Sequence, residues 1–360
     1  MAKNVSVFQR TPHWIAPRGD YVISDLRKAL YRYFPFLQRY WRRRYMDVNE
    51  AEHASNAFPN HEENKILTQV ALDMMHEQLP NQPEMWEKLT PKYPLGCKRV
   101  VVSDSFYPAL NCPHVELEAR AIHSISDHTV RVVGTDGQPE DVGSHYDLIV
   151  YATGFRANEF LHPMKIYGRN GRALHDMWKD GARAYLGTCA DDMPNFGMVL
   201  GPNTGLLHNS FILIIEAQSR YINGLIKPVL EARKRGGALS LRPRPEKTEE
   251  YNVKLQNQLQ NFAANDIRCT SWYKTESGRI TNLWPGLVLE YQQLMEKVNY
   301  GDYESEGSSK SIVQKCPSYK VGRVVEEAGA IEKLSLATIV VLSTSAVVGG
   351  FLMRRLLALI

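Results

Sequence analysis

The sequence lacks the paired cysteines of a zinc site or a disulfide scaffold. It has five cysteines in 360 residues, and no two of them form a C-x-x-C pair. An odd number of cysteines also cannot form a complete disulfide framework. This pattern predicts free thiols in a reducing compartment. The five residues are Cys97, Cys112, Cys189, Cys269 and Cys316.

A strong charge imbalance and a secretory signal are missing as well. The formal net charge of +4 is too small to indicate a nucleic-acid partner by itself, and we expect none. Residues 1 to 4 lead directly into a strand-like run, without the apolar core of a signal peptide. The composition is that of an ordinary soluble globular protein, and the length is sufficient for two domains with separate cores.

A third absence is the glycine fingerprint of dinucleotide-binding folds. No G-x-G-x-x-G occurs between Met1 and Ile360. In an α/β fold this motif makes the turn after the first strand and presents a helix N-terminus to a pyrophosphate. A chain without it lacks the largest part of such a pyrophosphate site.

The strongest positive signal is the stretch Asp147–Phe155. Its run of five apolar or aromatic residues predicts a short strand buried on both faces, as in the middle of an α/β sheet. Ligands of open α/β sheets bind just beyond the carboxyl ends of strands, and glycine allows backbone to approach a ligand closely. Thr153 and Gly154 are therefore candidate ligand contacts. A plain core strand that ends in a turn is the alternative.

Two further strand ends carry cations. Residues 5 to 8 alternate like a strand, and Arg10 and Thr11 follow; together they offer a phosphate a charged fork and a hydroxyl. Lys98 and Arg99 precede a β-branched strand, where adjacent side chains point in opposite directions and can serve different ligands. Solvated strand ends are the alternative interpretation.

Residues 25 to 45 predict a helix, interrupted at Pro35, in which aromatic residues interleave with arginines. Segments of this kind can bind single-stranded nucleic acid or a membrane surface. An amphipathic helix that packs its rings inward is more frequent, and we expect that arrangement here. A second helix is predicted over residues 62 to 79.

Farther along, a loop rich in Gly, Asn and Thr at residues 201 to 205 leads into a predicted helix from Phe211. Such a loop leaves backbone N–H groups free to meet a negatively polarised ligand atom. A capped helix with a flexible entry is the alternative.

In this order, the segments resemble those of the Baeyer–Villiger monooxygenases, which are FAD- and NADPH-dependent flavoproteins. Each motif is weak alone, and the resemblance depends on their order from about residue 4 to residue 286. It implies an α/β, Rossmann-like flavoprotein fold with an NADP-binding domain inserted into an FAD-binding domain. The segments are V-F-Q-R-T-P (7–12), G-C-K-R (96–99), I-V-Y-A-T-G-F (149–155), G-P-N-T-G-L-L-H-N-S (201–210), C-T-S-W-Y (269–273) and W-P-G (284–286).

The resemblance implies a role for each candidate residue. Arg10 and Thr11 resemble the pair that holds the 2′-phosphate of NADP, and Lys98 its third contact. Arg99 resembles the family's catalytic arginine, whose permanent charge stabilises the negative charge that develops when oxygen is transferred to a ketone. Trp272 resembles a loop tryptophan that closes over the nicotinamide. The implied flavin-side contacts are Thr153, Gly154, Asn203, Thr204 and Gly205.

The sequence also departs from the family pattern. The glycine fingerprints for FAD and NADP are both absent, and so is the signature rich in Gly, His and Trp-Pro that lies between them. The acidic partner of the catalytic arginine is expected in the same missing part. We therefore expect an incomplete two-domain fold, with a partial NADP-binding domain and helical insertion at 1–146 and the carboxyl-terminal part of the FAD-binding domain at 147–299.

The carboxyl-terminal region differs in composition from the rest. Residues 300 to 333 are polar and read as a linker. Residues 334 to 353 carry no charge and are about as long as a helix that crosses roughly 30 Å of hydrocarbon. This predicts a transmembrane helix that tethers a cytosolic chain to a membrane. A buried terminal helix is the alternative.

Three functions remain open at this stage. The first is an FAD- and NADPH-dependent monooxygenase that inserts one atom of O2 into a ketone-type substrate, represented by a truncated chain. The second is a non-catalytic, membrane-tethered interaction protein. The third is N- or S-oxygenation, which Arg99 makes less favoured than ketone oxygenation.

Overall fold

The structure is a computed structural model that describes residues 2–142 and 145–322. The elements of its first part are β1 (Val5–Phe8), β2 (Ile15–Ala16), α1 (Asp25–Tyr33), α2 (Pro35–Ala57), α3 (Glu62–Gln78), α4 (Pro83–Leu89), β3 (Val101–Val102), α5 (Phe106–Leu110), β4 (Val115–Glu118), β5 (Ile122–Ile125), β6 (Val130–Val133) and β7 (Pro139–Val142).

The second part has longer loops and two long helices. Its elements are α6 (Leu174–Met177), α7 (Phe211–Lys234), β8 (Ser240–Pro243), α8 (Pro245–Leu259), α9 (Val288–Met295), β9 (Lys297–Asn299), β10 (Tyr303–Glu306), α10 (Ser311–Lys315) and β11 (Ser318–Lys320), with 3-10 turns at Arg169–Gly171, Ala263–Asn265 and Tyr300–Asp302.

Two short parallel strand pairs organise the first part. β1 pairs with β4 and β2 pairs with β3. Parallel strands need a crossover connection, and helices α1 to α4 lie in the connection between β2 and β3. The apolar faces of α3, α4 and α5 pack against this layer, which makes a small α/β core. The buried members of that core are Ile15, Met74, Met75, Leu79, Leu89, Tyr107 and Leu110.

An antiparallel meander, β5-β6-β7, follows this layer. The tight turn between β6 and β7 uses Gly137, whose φ of +79° favours glycine.

Helix α7 is the centre of the second part. The Ser210 hydroxyl accepts a hydrogen bond from the Ile212 amide at 3.3 Å and caps its first turn. Its apolar face packs against α9 and the antiparallel pair β8–β10. Ile214, Tyr221 and Tyr291 are completely or almost completely buried there. This core fixes the position of the loop that precedes α7.

The predicted strand at Asp147–Phe155 is not formed. The segment has no strand partner in the described part of the chain, and its side chains are largely exposed, with Leu148 at 77% and Phe155 at 98%. A strand forms only when its backbone N–H and C=O groups have a partner, so an apolar pattern alone is not sufficient.

The predicted linker is also wrong for residues 300 to 320. β10 pairs with β8, and β11 pairs with β9. Tyr300 and Tyr303 are buried in the core of the second part. Two aromatic residues thus fix a segment whose composition is polar. The division at residue 146 stays a prediction.

The helical prediction for residues 25 to 45 is confirmed, with Pro35 at the first turn of α2, where its missing N–H costs nothing. The expected inward packing of its rings is wrong. No residue of α1 is buried, and the rings on α1 and the first half of α2 are largely exposed.

The predicted transmembrane helix at 334–353 lies outside the described residues. Within the described part, no helix is long and apolar enough to cross a membrane.

Candidate functional site

Tyr93 joins the two segments that carry the predicted phosphate contacts. Its hydroxyl donates to the Pro12 carbonyl at 2.5 Å, and its own carbonyl accepts from the Trp14 indole at 2.9 Å. Lys98 Nζ lies 4.9 Å from the centre of its ring. Burial raises the pKa of Tyr93 to about 12, so the hydroxyl stays a neutral donor. The ring therefore holds residues 10 to 14 beside Lys98.

Arg10 and Lys98 are close enough for their charges to interact. Burial and, secondarily, the Arg10 charge lower the pKa of Lys98. Desolvation and then the Lys98 charge lower the pKa of His13. Within residues 2–142 and 145–322, no carboxylate forms an ion pair with Arg10 or Lys98. Two adjacent cations without a counter-charge suit a phosphate dianion, and Thr11 lies half-buried beside Arg10.

A disulfide between Cys97 and Cys269 contradicts the prediction of free thiols. Their Cα atoms are 5.6 Å apart, and both residues are almost fully buried. The sequence contains no indication that these two cysteines pair, because 172 residues separate them. The bond fastens the residue before Lys98 to the loop that carries Trp272. Cys112, Cys189 and Cys316 are free.

Arg99 lies at the loop before α7. Its Nη1 donates to the Leu206 carbonyl at 3.4 Å. Burial raises the pKa of the Tyr273 hydroxyl, and the Arg99 charge partly offsets that rise, so the two side chains are neighbours. Arg99 is otherwise exposed. A guanidinium has five N–H donors, and most of them remain available to a ligand.

The loop at Asn203–Gly205 is fixed by hydrogen bonds. Asn203 has a φ of +57°, and its Nδ2 donates to the carbonyls of Ile280 and Leu283 at 2.8 and 3.0 Å. Its buried Oδ1 has no partner. The Thr204 hydroxyl donates to the Gly201 carbonyl at 2.7 Å.

Gly205 is required by a close approach of backbone. Its amide donates to the Asn282 carbonyl at 2.7 Å, and a Cβ at this position would lie 2.6 Å from that oxygen. Any other residue would therefore displace the strand-like contact between the two loops.

Asn282 connects this loop to Trp272. Its carbonyl accepts from Gly205, and its Nδ2 donates to the Trp272 carbonyl at 2.8 Å and to Asn158 Oδ1 at 2.8 Å. The Trp272 ring itself remains 47% exposed. Sequence reasoning missed Asn282, Asn158 and Tyr93, because each acts through contacts with residues far away in the chain. The only available signal for Asn282 was its position two residues before the W-P-G segment.

The structure thus brings most predicted residues into two neighbouring groups. Arg10, Thr11 and Lys98 form the first, and Arg99, the 203–205 loop and Trp272 form the second, with the disulfide between them. Thr153 and Gly154 join neither group. Both are exposed, and nothing lies within 4 Å of the position that a Cβ on Gly154 would occupy.

Comparison with known proteins identifies the family. No family model matches the chain. It is 44% identical over 329 residues to the FAD-binding monooxygenase ktnD of Aspergillus niger, covering 91% of this chain and 53% of the relative. It is 34% identical over 301 residues to a Baeyer-Villiger monooxygenase of Streptomyces coelicolor, covering 83% of this chain and 56% of the relative. The chain belongs to the Baeyer–Villiger monooxygenase family.

Solved structures support the fold of the chain. A crystal structure of OTEMO in complex with FAD and NADP has a TM-score of 0.66 at 21% identity, covering 85% of this chain and 62% of that chain. Oxidized steroid monooxygenase bound to NADP has a TM-score of 0.64 at 23% identity, covering 82% and 60%. These likenesses show the α/β, Rossmann-like fold. The chain spans about half the length of the curated relatives it matches, 53% and 56% for the two described above.

Proposed function

We propose that this chain supplies the NADPH-binding and arginine-bearing part of an FAD-dependent monooxygenase that inserts one atom of O2 into a ketone-type substrate. The observation that carries the proposal is the pair Arg10 and Lys98, two adjacent cations without a counter-charge, next to an exposed Arg99. The names of the relatives, which include Baeyer-Villiger monooxygenases, support the reaction class.

The residues present fit the 2′-phosphate of NADPH. Arg10 offers a bidentate fork, Lys98 a point charge, and Thr11 a neutral donor. Burial and, secondarily, the Arg10 charge lower the pKa of Lys98, and a phosphate between the two cations would offset the second of these effects. NADH lacks this phosphate, so the cluster gives selectivity for NADPH.

The residues present do not make a complete FAD site. The unpartnered Asn203 Oδ1 offers one acceptor, but the chain has no glycine turn for a pyrophosphate, and Thr153 and Gly154 are exposed. FAD, when bound, supplies the reduced ring that activates O2. We propose that most of its contacts come from sequence outside this chain, so the purified chain should show no flavin absorbance.

Arg99 is the residue that we assign to charge stabilisation. Its hydrogen bond to the Leu206 carbonyl fixes one side of the guanidinium, and the permanent charge then meets negative charge on the substrate oxygen in the transition state. A preorganised cation of this kind favours attack on a carbonyl, where such charge develops.

We also propose that residues 334 to 353 anchor the protein in a membrane and leave the preceding residues in the cytosol, where NADPH is available. The support is the uncharged stretch of sufficient length.

Calorimetric titration with NADP+ and NAD+, which differ only in the 2′-phosphate, tests the cofactor site. Arg10→Ala should weaken NADP+ by roughly 10- to 100-fold, as expected for a lost charged hydrogen bond, and leave NAD+ unchanged. Arg131→Ala is the matched control, because Arg131 pairs with Asp141 on the neighbouring strand. Equal losses for both nucleotides would remove Arg10 from the site.

A further inference from the structure

We infer that helices α1 and α2 form a peripheral binding surface for an anionic lipid bilayer. The surface consists of residues 21 to 46 and is called the α1–α2 surface below. The inference concerns an interaction that oxygenation chemistry does not require, and it does not depend on the proposed function.

The first observation is a strong excess of positive charge. Residues 21 to 46 contain seven basic residues and one acidic residue, Asp25, which pairs with Lys28 at 3.0 Å, although the whole chain is nearly balanced at +4. A basic amphipathic helix with aromatic residues is the pattern of interfacial membrane helices. The seven residues are Arg27, Lys28, Arg32, Arg39, Arg42, Arg43 and Arg44.

The second observation is that the body of the protein does not bury this segment. α1 has no buried residue, and the only buried residues of α2, Ser55 and Ala57, lie at its far end. Apolar side chains are exposed beside the cations, among them Val22 at 92% and Leu26 at 72%. The exposed aromatic residues are Tyr21, Tyr33, Phe34, Phe36, Tyr40, Trp41 and Tyr45.

Contacts between the helices make them one surface. The Arg27 guanidinium carbon lies 4.7 Å from the Trp41 ring centre and 5.4 Å from that of Tyr31, and Arg27 Nε donates to the Tyr31 hydroxyl at 2.5 Å. The contact between Arg27 and Trp41 is a cation–π interaction that holds α1 on α2, whereas Tyr31 lies on α1 itself. The other end of α2 is fixed to the body, because Asn209 Nδ2 donates to Glu50 Oε1 at 2.7 Å. The exposed first half of α2 is therefore attached to the rest of the protein through the second half of the same helix.

An anionic bilayer matches this surface better than nucleic acid does. At a lipid interface, aromatic and aliphatic groups enter the acyl boundary while arginines reach the headgroups. Single-stranded nucleic acid needs rings whose faces are free for stacking along a groove. Here Tyr40 and Trp41 meet edge to face at 5.7 Å, and the exposed Val22 and Leu26 offer a base no ring to stack on.

Vesicle flotation of the full 360-residue chain tests the inference. We expect the chain to bind vesicles of phosphatidylcholine with phosphatidylserine more strongly than vesicles of phosphatidylcholine alone, and we expect high salt to remove this difference. Binding through residues 334 to 353 is the same for both kinds of vesicle and does not depend on salt. Arg39→Glu with Arg44→Glu should lower the contribution of phosphatidylserine to the partition coefficient by at least about 30-fold, since each basic residue near an anionic surface contributes about 5-fold.

The matched control is Arg233→Glu with Lys234→Glu at the end of α7, which makes the same charge change at another exposed site. This control should bind like the parent chain, and the carboxyl-terminal stretch is present in every variant. Equal binding to neutral vesicles, or an equal loss in the control pair, overturns the inference.

Two further measurements separate the other possible partners. Phe36→Ala with Trp41→Ala should weaken the phosphatidylserine-dependent binding about 10-fold or more, because two exposed rings that would enter the lipid interface are lost. If this double variant binds as strongly as the parent chain, the rings of Phe36 and Trp41 do not enter the bilayer. Tighter binding of a single-stranded oligonucleotide than of anionic vesicles would assign the α1–α2 surface to nucleic acid instead.

Discussion

Cys97 and Cys269 join two loops that are 172 residues apart in sequence, and the residues next to them carry the candidate site. Lys98 and Arg99 follow one cysteine, and Trp272 lies three residues after the other. The disulfide therefore joins the segment that carries Lys98 and Arg99 to the loop that carries Trp272.

Removing the disulfide should lower the free energy of unfolding. Closing a loop of this length restricts the unfolded chain, and losing such a bond typically costs about 2–4 kcal/mol. We expect Cys97→Ser with Cys269→Ser to show this loss in urea unfolding. Cys112→Ser, at a free cysteine, should leave the midpoint unchanged. A wild-type midpoint that does not respond to a reducing agent would contradict a stabilising role.

The Arg99 assignment predicts a selective kinetic defect in a longer protein that contains this chain and the FAD-binding part. Arg99→Ala should leave reduction of flavin by NADPH largely intact and slow ester formation by about 100- to 1000-fold, or roughly 3–4 kcal/mol. Arg99→Lys keeps the positive charge but loses the two parallel donors of the guanidinium. Its rate of ester formation should therefore lie between those of the parent enzyme and Arg99→Ala. Normal ester yield from the alanine variant would refute the assignment.

Local features of the fold were predictable from the sequence. Pro35 marked the break between α1 and α2, and the predicted helix at residues 62 to 79 corresponds to α3. Both depend on interactions within a few residues. Strand β1 also follows from the alternating run at residues 5 to 8, although its parallel pairing with β4 does not.

Features that depend on distant partners were not predictable. Asp147–Phe155 has the composition of a central strand, but a strand also needs neighbours to pair with. Asn282 acts through the backbone of Gly205 and Trp272, which are 77 and 10 residues away in the chain, so its neighbours in sequence do not show these contacts. The roles of Arg10 and Lys98 came from the resemblance, and the structure adds that the two charges are adjacent.

The contact between half-buried His53 and buried His208 predicts that stability falls in mild acid. His53 on α2 lies 4.8 Å, between ring centres, from His208, and Phe58 and Phe262 are also in contact with it. Burial and then the His208 charge lower the pKa of His53 from 6.5 to about 4, against the opposing charges of Glu290 and Glu50.

The unfolded chain therefore takes up the proton first, so this stability is complete above about pH 6.5 and is lost as the pH falls toward 4. We expect a loss of about 1–2 kcal/mol between pH 7 and pH 5, after allowance for partial solvent screening. Above pH 5 the lowered pKa of Glu50 does not contribute. His53→Phe should flatten this dependence, whereas His123→Phe on the exposed strand β5 should not. If the free energy of unfolding of His53→Phe depends on pH as steeply as that of the parent chain, the pH dependence belongs to other groups.

The carboxyl-terminal stretch predicts resistance to alkaline carbonate extraction. Residues 334 to 353 are uncharged and about long enough to cross roughly 30 Å of hydrocarbon, although their serines and glycines weaken insertion. The α1–α2 surface, by contrast, binds through salt-sensitive contacts that carbonate disrupts. We therefore expect the full chain to remain in the membrane pellet and a chain without residues 334 to 360 to be released by carbonate. Release of both forms would show that the stretch is not an anchor, and retention of both would assign membrane binding to another part of the chain.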